Sequence, residues 1–214
     1  MADGEAGGRR AKRLELAATI LLAMAAVATA WSSYQATRWN GEQARAASQT
    51  NGIRIDAARS QSEAEAQTEV DIATYIQWID ANAHEDEDLA DFYEARFRPE
   101  FQPAFDAWLV TDPFADPDAP PTPFVLPEYR LAAQVQADRL DRQAEVSAAT
   151  VRRDIVRASN YVLGVVLFAV ALFFAGISTK LDSERLRQAM LVVGYAVFLG
   201  SVAWIATFPI SFVT

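Results

Sequence analysis

The chain has 214 residues, 51% of them apolar, with 28 acidic and 19 basic side chains and a net charge of −9. That balance excludes nucleic-acid binding through an electrostatic footprint, which needs a basic surface. The absence of cysteine excludes disulfides and thiolate chemistry, and a single histidine removes most acid–base and zinc mechanisms.

In chain order, residues 1–13 form a basic tail with Arg9, Arg10, Lys12 and Arg13. Residues 16–37 then carry no charged side chain, nor do 158–179 or 188–214. A bilayer core takes about 20 apolar residues per helix, so each window is long enough to cross it. The expected spans are 14–37, 158–179 and 189–208, with 180–188 a short loop and 209–214 a tail after Pro209. Trp31, Tyr34 and Trp39 beside the first span, Tyr161 at the second and Trp204 at the third fit aromatic belts at the membrane interface. Ala28-Thr29-Ala30 suits signal-peptide cleavage. The helical composition nevertheless continues past Trp31 without a break, which favours an uncleaved anchor. Lysine and arginine near the span ends place the N-terminus and the 180–188 loop in the cytoplasm and residues 38–157 outside it.

The segment 38–157 divides at its prolines, eight of the nine lying between Pro99 and Pro127. The arms on either side are rich in good helix formers. On the returning arm Ala133, Ala137, Leu140, Ala144, Ala148, Val151, Ile155, Ala158 and Val162 mark one face of a helix running into the second span. On the outgoing arm Ala44, Ala47, Ile55, Ala58, Ala66, Ala73 and Ile76 offer a similar face. The expected fold is therefore an all-α membrane protein, with a helical hairpin or bundle inserted between the first and second spans. The outgoing arm, at 1.5 Å per residue, reaches roughly 80 Å and the returning one about 50 Å. A break near Asn51-Gly52 resolves that mismatch; so does a tip that folds back through residues 89–110.

The tip, 99–127 with the residues just before it, is the most distinctive stretch. Phe92, Tyr93, Phe97, Phe101, Phe105, Trp108 and Leu109 cluster around Pro99 and Pro103, which suggests two short capping helices. Phe97, Phe101, Phe105 and Trp108 are read in two ways, as a small core and as a partner-contact surface. The proline-rich connector after them has Phe114, Phe124 and Leu126 as anchors over the tip.

From residue 60 to 95 there are eleven acidic residues and no lysine or arginine. His84, Glu85, Asp86, Glu87 and Asp88 are the densest part and weak candidates for a divalent cation. They lack EF-hand spacing, and successive helix residues point apart, so a solvated acidic surface is the plainer reading and no metal site is assigned. On the spans, Ala171, Ala175, Ala196, Gly200 and Ala203 are small enough for close helix packing. No nucleotide loop, nucleophile elbow or zinc-protease motif is present, so no catalytic residue and no cofactor is expected.

The stretch AWSSYQATRWNGEQA, with Trp31, Tyr34, Gln35, Ala36 and Trp39, resembles a segment of uncharacterised bacterial membrane proteins grouped as a domain of unknown function. The resemblance implies one N-terminal span, a helical hydrophilic middle and two closely spaced C-terminal spans. Residues 99–127 depart from it, and it carries no reaction to transfer. The use of seventeen arginines against two lysines suits a GC-rich bacterial genome. These features lead to a non-enzymatic protein of the bacterial inner membrane, in contact with lipid, that forms a homo-oligomer or scaffolds a larger complex. Alternatives are an oligomeric cation channel with an acidic vestibule and a sensory module whose output lies in a partner.

Overall fold

The structure is a computed structural model that describes residues 2–211, with side chains described for Arg10 and for 12–211. Arg9 and the end of the C-terminal tail, 212–214, lie outside those described side chains. Helices account for most of it: α1 (Ala2–Ala83), α2 (Glu87–Glu94), α3 (Gln102–Leu109), α4 (Ala132–Ser178) and α5 (Glu184–Ile205), with a 3₁₀ turn at Pro123–Val125 and no strand among the described residues. Three of these helices, α1, α4 and α5, are long and apolar enough to cross a membrane.

The lengths follow from composition. No proline occurs before Pro99, and α1 runs unbroken through Asn40-Gly41 and Asn51-Gly52. Each glycine costs about 1 kcal/mol against alanine in a helix, which long runs of helix formers on both sides absorb. The break proposed at Asn51-Gly52 is therefore absent. Instead α1 ends in a Schellman turn, with the Asp86 N–H on the Ala81 carbonyl at 3.0 Å and Glu85 at a left-handed φ of 57°. Asp86 then caps α2, accepting the Leu89 N–H at 3.1 Å.

The chain divides into two compact units. The first comprises Met1–Ala47 and Ala148–Thr214, and holds the apolar stretches of all three long helices. Its core is Leu21, Ala25, Ala36, Trp39, Ala158, Tyr161, Phe168, Ala171, Ala175, Phe198 and Ile205. Glycines set the helix spacing here. A Cβ on Gly164 would stand 2.3 Å from Ile205 Cδ1, and one on Gly194 would stand 3.0 Å from Leu21 Cδ2 and 3.3 Å from Phe174 Cβ. The Tyr195 hydroxyl donates to the Ala17 carbonyl at 2.9 Å. The Tyr161 hydroxyl donates to Pro209 at 3.1 Å. Gln35, fully buried, accepts the Ser211 N–H at 3.0 Å and donates to its carbonyl at 3.4 Å.

Ala171 and Ala175 are buried in this packing, but Ala196, Gly200 and Ala203 face outward, and a Cβ on Gly200 meets nothing within 4 Å. The inward stripe of α5 is Leu191, Gly194, Phe198, Ser201 and Ile205. Its alternating steps of three and four keep one face toward the neighbours, which turns the expected small residues away. The aromatic residues expected at the interface divide by burial. Trp31 and Tyr34 are exposed and Trp204 half-buried, whereas Trp39 and Tyr161 are interior. Trp39 lies under the Arg157 guanidinium at 4.6 Å, and that guanidinium donates to the buried Asp154 at 3.0 Å.

The second unit is Ser48–Ser147. Thr50 and Ser147 share a hydrogen bond of 2.7 Å, and the Tyr129 hydroxyl donates to Asp71 at 3.0 Å, so the two segments run in opposite directions. Beyond Asp71, the α1 residues Tyr75, Trp78 and Ala81 pack in one cluster with Ala90 of α2 and Phe105 and Trp108 of α3. The inward face of α1 is Thr50, Ala57, Ala64, Asp71 and Trp78, at steps of seven. The outgoing seam expected to be internal is not. Ala44 in the first unit, and Ile55, Ala58, Ala66, Ala73 and Ile76 in the second, are exposed. On α4, Asp154 and Tyr161 are buried where Ile155 and Val162 were expected. On α4 the buried row keeps a 3.5-residue period where the sequence reading followed a drifting 3.6; on α1 a different face turns inward.

Candidate functional site

The tip is built around rings. Tyr75 and Trp78 on α1 meet Phe97, Phe101, Phe105 and Trp108, with Phe124 and Tyr129 from the connector. Phe101 stacks on Phe124 at 5.1 Å, and Trp78 meets Phe105 edge-on at 4.7 Å. The Trp108 indole N–H donates to the Pro120 carbonyl at 2.8 Å, which pins the proline-rich connector over the cluster. Pro103 stands in the first turn of α3, where its missing N–H costs nothing. Phe97, Phe101, Phe105 and Trp108 are at most 8% exposed. The partner-contact expectation for these four is therefore corrected: burying large rings against each other is how a tip without long helices obtains a core. Phe114 remains 61% exposed, lying against Trp78 and Trp108.

Beside this core sits a charged network that sequence reasoning missed. Asp71 is completely buried. One carboxylate oxygen accepts from the Arg98 guanidinium at 2.9 Å and from the Tyr129 hydroxyl. Arg98 also pairs with Glu100, whose other oxygen accepts the Ala132 N–H at 3.0 Å at the start of α4. The second oxygen of Asp71 has no partner. Burial pushes the Asp71 carboxyl above its ordinary value, and the Tyr129 and Arg98 contacts pull against this without cancelling it. Burial also lifts the Tyr129 hydroxyl to about 12. The network ties α1, the turn before α3, the connector and α4 together. Its central acid has no exposed surface. The signal that could have found it is the register: Asp71 is seven residues from both Ala64 and Trp78, on the buried row.

The acidic run has local work to do. Glu85 holds the left-handed turn, Asp86 caps α2, and Glu87 and Asp88 lie in its first turn, where the helix dipole favours negative charge. His84 contacts the Asp80 carbonyl through Nδ1 at 2.8 Å. All five are exposed, and among the described residues no three of histidine, aspartate or glutamate gather as a metal set. Glu85, Asp86 and Glu87, with Asp91, Glu94 and Trp78, line an open acidic cleft of about 310 Å³.

These features define an all-helical protein with three helices long and apolar enough to cross a membrane. Comparison with family models, curated proteins and solved structures finds no match.

Proposed function

We propose that the chain is a non-enzymatic, three-span membrane protein that associates with itself, with residues 38–157 as a helical hairpin inserted between the first two spans. The observation that carries this reading is the outer seam of α1. Ile55, Ala58, Ala66, Ala73 and Ile76 fall on one side of the helix, opposite the buried row, and Ile55 and Ile76 are each 55% exposed. Val70 and Ile72 flank the seam and are also exposed. In a water-facing segment, an apolar helix face of this length buries itself against another helix. The inner seam is thin, mostly alanine and threonine, so a second contact on the far side completes the core of the hairpin. In this reading the hairpin lies outside the cytoplasm of a bacterial cell and the N-terminus and 180–188 loop lie inside.

Light scattering of detergent-purified protein tests this. More than one chain per particle is expected. Ile55→Lys with Ile76→Lys should give single chains of unchanged helix content. A single-chain wild type would overturn the proposal.

A cation pathway through assembled copies is a second reading, and charge favours it. Residues 48–147 hold 21 acidic against 7 basic side chains, a net −14, while the remainder carries +5. Such a surface concentrates cations. Replacing Glu85, Asp86, Glu87 and Asp88 by their amides should lower conductance in planar bilayers, and a silent wild type removes this reading.

A further inference from the structure

The first unit contains an apolar groove of about 330 Å³ where its three long helices meet. Val27, Ala28, Trp31 and Ser32 come from α1 and Phe168 from α4, and Val202 and Ile205 from α5, with Ala206 just beyond its last turn. Ser32 is the one aliphatic hydroxyl residue in this lining. It is fully buried and has no hydrogen-bond partner. A buried hydroxyl without a partner loses about 1–3 kcal/mol, and more in hydrocarbon, where no water compensates. On the α4 side the hydroxyl lies near Gly164: a Cβ there would stand 3.6 Å from Ser32 Oγ, and Ile205 Cδ1, 2.3 Å from that same point, fills the space. The groove thus offers an apolar trough and one unused hydrogen-bond group at its wall.

We propose that this groove holds one acyl chain of a membrane glycerolipid, with the ester carbonyl accepting the Ser32 O–H. Three observations select that occupant. The lining is apolar apart from Ser32 and the Trp31 indole, so a charged or strongly hydrated ligand finds no partners. The volume is at the lower end of small-molecule sites and suits a single chain. The groove also lies at the end of α5 and is lined by Trp31, while Trp204 and Phe208 pack against the cluster that holds its Phe168 and Ile205. In the three-span reading these rings mark the boundary where lipid ester groups sit. The inference rests on that reading of α1, α4 and α5 and not on self-association.

The test uses the full chain, reconstituted in nanodiscs of one phosphatidylglycerol, transferred to mild detergent and weighed by native mass spectrometry. One retained lipid per chain is expected. Ala28→Phe should plug the groove and lower occupancy at least tenfold. Ser32→Ala, a smaller change that leaves the helix intact, should lower it about threefold or more. Ala196→Phe, on the outward side of α5, should leave it unchanged. A wild type that retains no lipid, or equal retention in Ser32→Ala and wild type, would overturn the proposal. Because lipid is counted per chain, the result is independent of how many chains associate.

Discussion

At the scale of single residues, Asp71 carries the sharpest consequence. An acid whose pKa is higher in the folded protein favours folding while it is protonated. That contribution is fully present below its ordinary 3.8 and is lost as pH rises through the raised folded value. Arg98 and Glu100 are the charged groups facing it, and Tyr129 stays protonated throughout this range. Thermal melting of wild type against Asp71→Asn should therefore show the wild type losing ground steadily from acid to neutral pH. A gap that does not change with pH contradicts this. Arg98→Met removes a charge-assisted hydrogen bond from a buried carboxylate and should cost about 1.5–3 kcal/mol at neutral pH, shrinking in acid as Asp71 takes up its proton.

Glycines separate in the same way. Gly164→Ala pushes a methyl group into Ile205 and should destabilise by about 1–2 kcal/mol. Gly200→Ala meets open space and should be neutral or stabilising by up to about 1 kcal/mol. Melting in detergent reads both, and equal effects would contradict the packing described.

At the scale of elements, the tip and the helix ends explain which parts of the sequence were legible. Proline placement marked the tip, and the aromatic spacing around Pro99 and Pro103 indicated two short helices. Those signals are local, because proline and ring burial act over a few residues. Which side of α1 turns inward is not local. Two faces of that helix carry small apolar residues, Ala57 and Ala64 on one and Ala58 and Ala66 on the other, and composition does not rank them. The choice is made by Trp78 and Asp71, whose partners arrive from Phe105, Arg98 and Tyr129, far along the chain. The same holds on α5, where Gly194 and Gly200 look alike in sequence and only one meets a neighbour.

Two predictions belong at this scale. Phe101→Ala should cost about 3–5 kcal/mol by opening a cavity in the ring cluster, whereas Phe114→Ala should cost far less because that ring is largely exposed. Urea unfolding followed by tryptophan fluorescence distinguishes them. Glu85→Gly relieves a left-handed conformation that disfavours side chains and should stabilise the α1–α2 turn by about 1 kcal/mol. Hydrogen exchange at the Asp86 N–H is a direct readout.

At the scale of the whole molecule, charge and hydrophobicity are distributed together. The residues 48–147 hold the negative excess, and the apolar windows fall elsewhere, among basic side chains. A lipid core accepts only the second kind of segment, since each buried charge costs several kcal/mol there. The proposed topology is defined by where each segment meets water. Because the chain contains no cysteine, single introduced thiols report this without background. The most direct measurement is labelling of intact cells with a membrane-impermeant maleimide at Ser62→Cys, Ser183→Cys and Val166→Cys. The proposed topology predicts labelling of position 62 in intact cells, of 183 only after lysis, and of 166 in neither state. Labelling of 166 from water, or protection of 62 until lysis, would contradict it.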